Sequence, residues 1–246
     1  MIAATARTIV GRRGTFLSTV ALAFLAVIAV AVTRAIVNAR DPEIHPSIGG
    51  AIFVENAGGF IFLIGVLGGV LMGALAGSYD AAQGTMRYLL MTGVSRTRIY
   101  VSRGVALVLC VYVALLPALL LMLVLALVLP QPDGAGIDMH DLLATLWGIA
   151  LFSGVYALVS MGIGSLLHSN GAAITIALLI NFALTPALFV IAVWSERVAS
   201  LALPAALGTL TGDDSEIGYG LATVAVLCWL ALFLGGGLAR IQRDEY

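Results

Sequence analysis

The chain contains no lysine. All 12 of its basic residues are arginine, and Asp, Glu, Lys and Arg together make up only 10% of its 246 residues. A soluble domain of ordinary composition carries about 25% charged residues, so a water-soluble globule is excluded. Without lysine there is no GxxxxGK[ST] loop, whose lysine would reach the phosphates of ATP. The chain therefore cannot hydrolyse ATP as a P-loop enzyme. Cysteine is equally scarce. Cys110 and Cys228 both lie in apolar runs, as small core hydrophobes do, and suggest neither a disulfide framework nor a thiolate metal site. A net charge of −1 gives no electrostatic footprint for nucleic acid.

What is abundant is apolar sequence, 61% of the chain. Stretches free of Asp, Glu, Lys and Arg cover Gly14 to Thr33, Asn56 to Tyr79, Gly104 to Pro132, Leu142 to Ser195 and Ile217 to Ala239. A span needs about 20 apolar residues to cross a hydrocarbon core of about 30 Å. The fourth stretch, 54 residues long, would make a helix of about 81 Å and must fold back. Its polar turn signal is His168-Ser169-Asn170-Gly171. The expectation is an all-α integral membrane protein, a single domain over 1–246. Its six spans lie at about 15–37, 57–78, 99–128, 142–167, 172–194 and 218–239.

Six spans put both termini on one side. With the N-terminus inside, nine arginines (7, 12, 13, 87, 96, 98, 103, 240 and 243) lie in inner segments and three (34, 40 and 197) in outer ones. The positive-inside rule then makes the termini cytoplasmic. The first apolar stretch is longer than the 7–15 residues of a signal-peptide core and is expected to be an uncleaved span. Residues 1–13 carry Ile2, Ala6, Ile9 and Val10 at helical spacing with Arg7 opposite, which suits a short interfacial helix as well as a frayed basic tail. Between 195 and 217, an apolar stretch with Pro204 and Gly208 is too short to span. It fits an outer re-entrant hairpin or a loop against the bilayer.

Chemistry-bearing patterns are few. No Asp, Glu, Lys, Arg or His falls mid-span, whereas ion pathways and proton relays usually place one there. There is no HExxH for zinc and no GxSxG elbow for a serine nucleophile. The expected catalytic and metal-ligating residues are therefore none, and a stand-alone carrier or channel and an intramembrane enzyme are both disfavoured. The second span aligns Gly65, Gly69, Gly73 and Gly77 at i+4 spacing, a stripe where another helix can approach closely, either as static packing or as a sliding or dimer seam. In the fifth span, Pro186 removes a backbone donor near Asn181 and Thr185. That polar middle must face protein or water, so it either lines a cavity or bonds a neighbouring helix.

The segment from Tyr79 to Arg103 is the most informative. Met86, Leu89 and Leu90 fall at i, i+3 and i+4, the spacing of a short amphipathic helix over about 82–93. Gly93 can stop it, and Ser95 can cap the next helix. The sequence Asp80-x-x-Gln83-Gly84-Thr85-Met86-Arg87-Tyr88-Leu89-Leu90-Met91-Thr92-Gly93-Val94-Ser95-Arg96 resembles the cytoplasmic segment of ABC-2-type permeases, the membrane subunits of ATP-binding-cassette exporters. Asp80 stands where the family more often has Glu. The basic C-terminal end at Arg240 and Arg243 agrees with the same family.

The resemblance implies a type V exporter-like permease fold in the plasma membrane of a bacterium. It also implies a second permease subunit in a homo- or heterodimer. A separate ABC ATPase carrying ATP and Mg would dock on the cytoplasmic coupling helix. Its coupling residues would be Asp80, Gly84, Thr85, Met86, Arg87, Leu89, Leu90, Ser95 and Arg96. A drug, peptide or lipid-like substrate would pass along the second and fifth spans, near Phe60, Phe62, Asn181, Phe182, Thr185 and Phe189. A permease-like anchor or sensor without transport is the remaining alternative.

Overall fold

The computed structural model describes residues 6–7, 13–40, 48–84, 93–130, 137–167, 169–195, 199–212 and 217–243. Among them run seven helices: α1 (Arg13–Arg40), α2 (Gly50–Gln83), α3 (Arg96–Val128), α4 (Met139–Leu166), α5 (Asn170–Trp194), α6 (Leu203–Thr211) and α7 (Tyr219–Arg243). Helices α1 to α4 and α7 are each long and apolar enough to cross a membrane, and α5 is apolar over Asn170–Ala183. Exposed leucines such as Leu22, Leu109, Leu120, Leu179 and Leu232 give these helices an apolar exterior, as expected where the surrounding solvent is lipid.

The helices outrun the stretches bounded by charge. α2 has 34 residues, about 51 Å at 1.5 Å per residue, and extends past Glu55 at one end and Asp80 at the other. Charge does not break a helix whose ends leave the hydrocarbon. Glu55 is exposed, and Asp80 finds a cationic partner described below. α3 continues unbroken through Pro117.

α2 and α4 form the centre of the molecule. Where the two run together, the glycine stripe of α2 meets backbone. A Cβ at Gly69 would sit 2.7 Å from the carbonyl oxygen of Ser153, and Cβ atoms at Gly73 and Gly77 would collide with the carbonyls of Ala157 and Met161. In return, Gly164 of α4 lies against the carbonyl of Ala74. Glycine at every fourth residue therefore faces a carbonyl at every fourth residue, an approach only a side-chain-free position allows. Gly65, at the N-terminal end of the stripe, meets the side chains of Leu115 and Ser153 instead.

α7 closes on the other side of α4, where Gly162 lies against the backbone of Phe233. α1 packs on α2 and α3 with Thr19, Ala23 and Val27 buried. The sequence expected a hairpin or loop over 195–217. That stretch contains the nine-residue α6, opened by Pro204 in its first turn and ended by Gly212 at φ 106°. At about 14 Å α6 cannot cross a bilayer. It is lodged by buried Leu203, Ala206 and Leu207. Trp147 of α4 donates its indole N–H to Leu210 O (3.3 Å), and Trp229 of α7 donates to Leu201 O (3.2 Å).

Candidate functional site

The Gln83 end of α2, the Arg96 end of α3 and the Arg243 end of α7 lie beside the segment that the sequence singled out. α2 stops at Gln83, and Gly84 follows at φ 65°; beyond residues 85–92, Gly93 has φ 75°. Positive φ at both positions is the left-handed conformation that lets a chain leave a helix sharply, and glycine adopts it without a Cβ penalty. Two glycine pivots therefore bracket residues 85–92. The expected coupling residues Thr85, Met86, Arg87, Leu89 and Leu90 lie outside the described residues, as do most of 1–13.

Ser95 opens α3 as its N-cap, its hydroxyl accepting from the Arg98 N–H at 3.4 Å. This is the cap that the sequence suggested, and it satisfies one of the donors that every helix start leaves unpaired.

Arg103, two turns into α3, is buried. Its Nη1 donates to Ala76 O of α2 at 3.1 Å, and its Nη2 forms an ion pair with Asp80 Oδ2. The paired side chains are only 10% and 15% exposed. A charge withdrawn this far from water is tolerated only when paired and hydrogen-bonded. The expected coupling residue Asp80 is thus engaged within its own chain, where it fixes the end of α2 to the start of α3.

Arg96 reaches a different element. Its Nη1 donates to Ile241 O (2.7 Å) and Gln242 O (3.0 Å), the terminal carbonyls of α7. Those carbonyls have no intrahelical partner, and the negative end of a helix dipole favours a cation. Gln242 answers with a 3.4 Å hydrogen bond to Thr97. Arg96 therefore holds the last turn of α7 against the first turn of α3.

Sequence reasoning missed Arg103 as the partner of Asp80. The available signal was that Arg103 is the one charge set inside the apolar sweep of α3, level with the one acid at the end of α2. The link from Arg96 to α7 spans 145 positions and leaves no periodic trace in the sequence.

Among the described residues, Asn181 and Phe60 line different cavities. Asn181 is 6% exposed and donates its amide to Ser160 Oγ (3.3 Å) and Ala177 O (2.6 Å), the helix-to-helix bonding left open by the sequence. The void beside it, next to Tyr156 and Trp229, is about 10 Å³, room for a single water. Phe62 packs edge-on against Phe152 with centroids 4.7 Å apart. Phe60 and Phe182 are 52% and 39% exposed. Thr185 and Phe189 lie within α5, but their side chains fall outside the described residues. Among the described residues no group of three or more His, Cys, Asp or Glu could hold a metal.

The described arrangement is a mechanical frame, in which the ends of α2, α3 and α7 on either side of residues 85–92 are tied to one another by an ion pair and hydrogen bonds. The family model described as "ABC-2 family transporter protein" matches residues 50–211, from the first residue of α2 to the last of α6. No curated protein matches the chain. The matched region is about two thirds of the sequence and contains the glycine seam and the Asp80–Arg103 pair, though not α7, and the chain belongs to the ABC-2 transporter family as a multi-pass membrane permease component of an ABC transporter.

Proposed function

We propose that the chain is one of two permease subunits of an exporter in a bacterial plasma membrane, with six spans and cytoplasmic termini. α5 is the sixth span by this reading, supported by its 25 helical residues. The nine-to-three arginine asymmetry supports the orientation. A separate ABC ATPase binds residues 82–93 and supplies the work. The substrate is a drug, peptide or lipid-like molecule that moves along α2 and α5, where Phe60 and Phe182 reach the surface.

The observation that carries the coupling reading is the Asp80–Arg103 pair beneath the loop. A displacement imposed on residues 85–92 cannot be absorbed at the helix ends, because Arg103 locks α3 to α2 and Arg96 locks α3 to α7. The glycine seam then carries the motion from α2 to α4. Packed elements of this kind move as bodies.

The test is the double substitution Leu89→Ala and Leu90→Ala. Each fully buried leucine contributes about 1.5–3 kcal/mol, so losing two anchors from a groove costs several kcal/mol. Membrane insertion should be unchanged, while capture of the ATPase and stimulation of its hydrolysis in nanodiscs should be lost. Normal capture and transport would reduce the segment to an interfacial anchor.

A further inference from the structure

A cavity of about 280 Å³ opens between α1 and α2, away from the inner-face frame. Its polar end is formed by Thr33 and Arg34 of α1 and Asn56 of α2. Its apolar end is formed by Ala26 and Ala29 of α1 and Phe60 of α2. The two ends are ordered along the helices. Arg34 lies eight residues, about 12 Å, beyond Ala26, and Asn56 lies one turn before Phe60 on the antiparallel α2. In the orientation given above, Arg34 sits at the outer membrane boundary, and the groove descends through most of the ~15 Å outer half of the hydrocarbon core.

That gradient matches an amphiphile standing parallel to the membrane normal. Among the described residues no carboxylate pairs with Arg34. Glu55, the nearest acid along α2, does not line the cavity. Asn56 commits one amide N–H to Ile52 O at 2.6 Å, so its second N–H joins the guanidinium and the Thr33 hydroxyl as donors at the mouth. A guanidinium fork fits phosphate oxygens two at a time. Phe60 and the small faces of Ala26 and Ala29 leave a smooth channel for a hydrocarbon chain.

We infer that this groove binds an anionic phospholipid of the outer leaflet, its phosphate on Arg34 and one acyl chain along Ala29 and Phe60. The site is separate from the ATPase frame, so its failure leaves the coupling reading untouched.

The experiment uses the purified full chain in detergent, with native mass spectrometry of retained phosphatidylglycerol against phosphatidylcholine. The wild type should keep phosphatidylglycerol preferentially. Arg34→Gln should lower that preference on the order of tenfold, the loss expected for one charge-assisted hydrogen-bonded contact. Arg34→Lys should retain part of it. Ala29→Phe fills the channel without altering charge and should abolish photocrosslinking by a phosphatidylglycerol with a diazirine in its acyl chain. In the wild type those crosslinks should map to residues 26–34 and 56–60.

Equal retention of the two lipids would overturn the inference. So would an Arg34→Gln protein with undiminished preference, or crosslinks mapping elsewhere. A disulfide between two copies carrying Ala29→Cys, in a background without Cys110 and Cys228, would also overturn it by showing a second chain in the groove.

Discussion

Removing one member of the Asp80–Arg103 pair should damage the protein more than removing both. In Asp80→Leu the guanidinium of Arg103, 10% exposed in the native pair, keeps its bond to Ala76 O but loses its carboxylate. In Arg103→Met the carboxylate is stranded instead. Breaking a buried pair typically costs about 3–5 kcal/mol, because one charge is left uncompensated. The pair retains slight exposure and lies near the membrane boundary, so about 2–4 kcal/mol is the better expectation for each single change. The double variant Asp80→Leu/Arg103→Met replaces two desolvated charges by apolar side chains of similar size, and such replacements are often neutral or stabilising. Its cost should stay below about 1 kcal/mol, giving a coupling energy of about 3 kcal/mol or more across the double-mutant cycle. Unfolding by titration with sodium dodecyl sulfate in mixed micelles measures all four corners. Additive losses would show that the two side chains do not sense each other. ATPase stimulation, recorded on the same samples, adds a functional readout. The double variant should fold normally yet couple poorly, since α2 and α3 are no longer tied beneath the loop.

Three further outcomes are expected. Gly73→Leu should abolish monodisperse assembly, because even its Cβ meets the Ala157 carbonyl, whereas Gly59→Leu should be tolerated, having nothing within 4 Å of its Cβ position; size-exclusion profiles that fail to separate the two would refute the seam. Arg96→Ala should speed amide exchange at Ile241 to Arg243 by about five- to tenfold, since hydrogen bonds to a charged donor contribute about 1–1.5 kcal/mol at such a partly exposed helix end; unchanged exchange would detach Arg96 from α7. Single cysteines at Arg98 and Tyr219, in a background without Cys110 and Cys228, should react with impermeant thiol reagents from opposite sides; modification at position 98 in intact cells would invert the topology.

Much of the fold is legible in the sequence because hydrophobicity alone dictates it. The charge-free stretches place all the long helices, and the i+4 glycines mark the contact that α4 fills. Helix ends were harder, because Glu55 and Asp80 belong to α2 although neither belongs in hydrocarbon. The local chemistry at the start of α3 could also be read directly, with Gly93 turning and Ser95 capping as their residue types require. The frame around them could not, because the bonds from Arg103 to Asp80 and from Arg96 to Ile241 depend on which helix ends become neighbours. Asn181 illustrates the converse: a polar residue in an apolar span signals that a partner exists, but only the packing shows that it is Ser160.

The glycine seam also constrains the order in which the molecule can be built. α2 and α4 touch backbone to backbone, yet α3 is synthesised between them. α2 therefore enters the bilayer with its most adhesive face uncovered, and that face stays open until α4 has been delivered to the same membrane. α3 must leave the path between them before the seam can close. Biogenesis then has a fixed checkpoint at the fourth span: truncations ending before Met139 should leave α2 without its mate and open to whatever else in the bilayer can approach a glycine face.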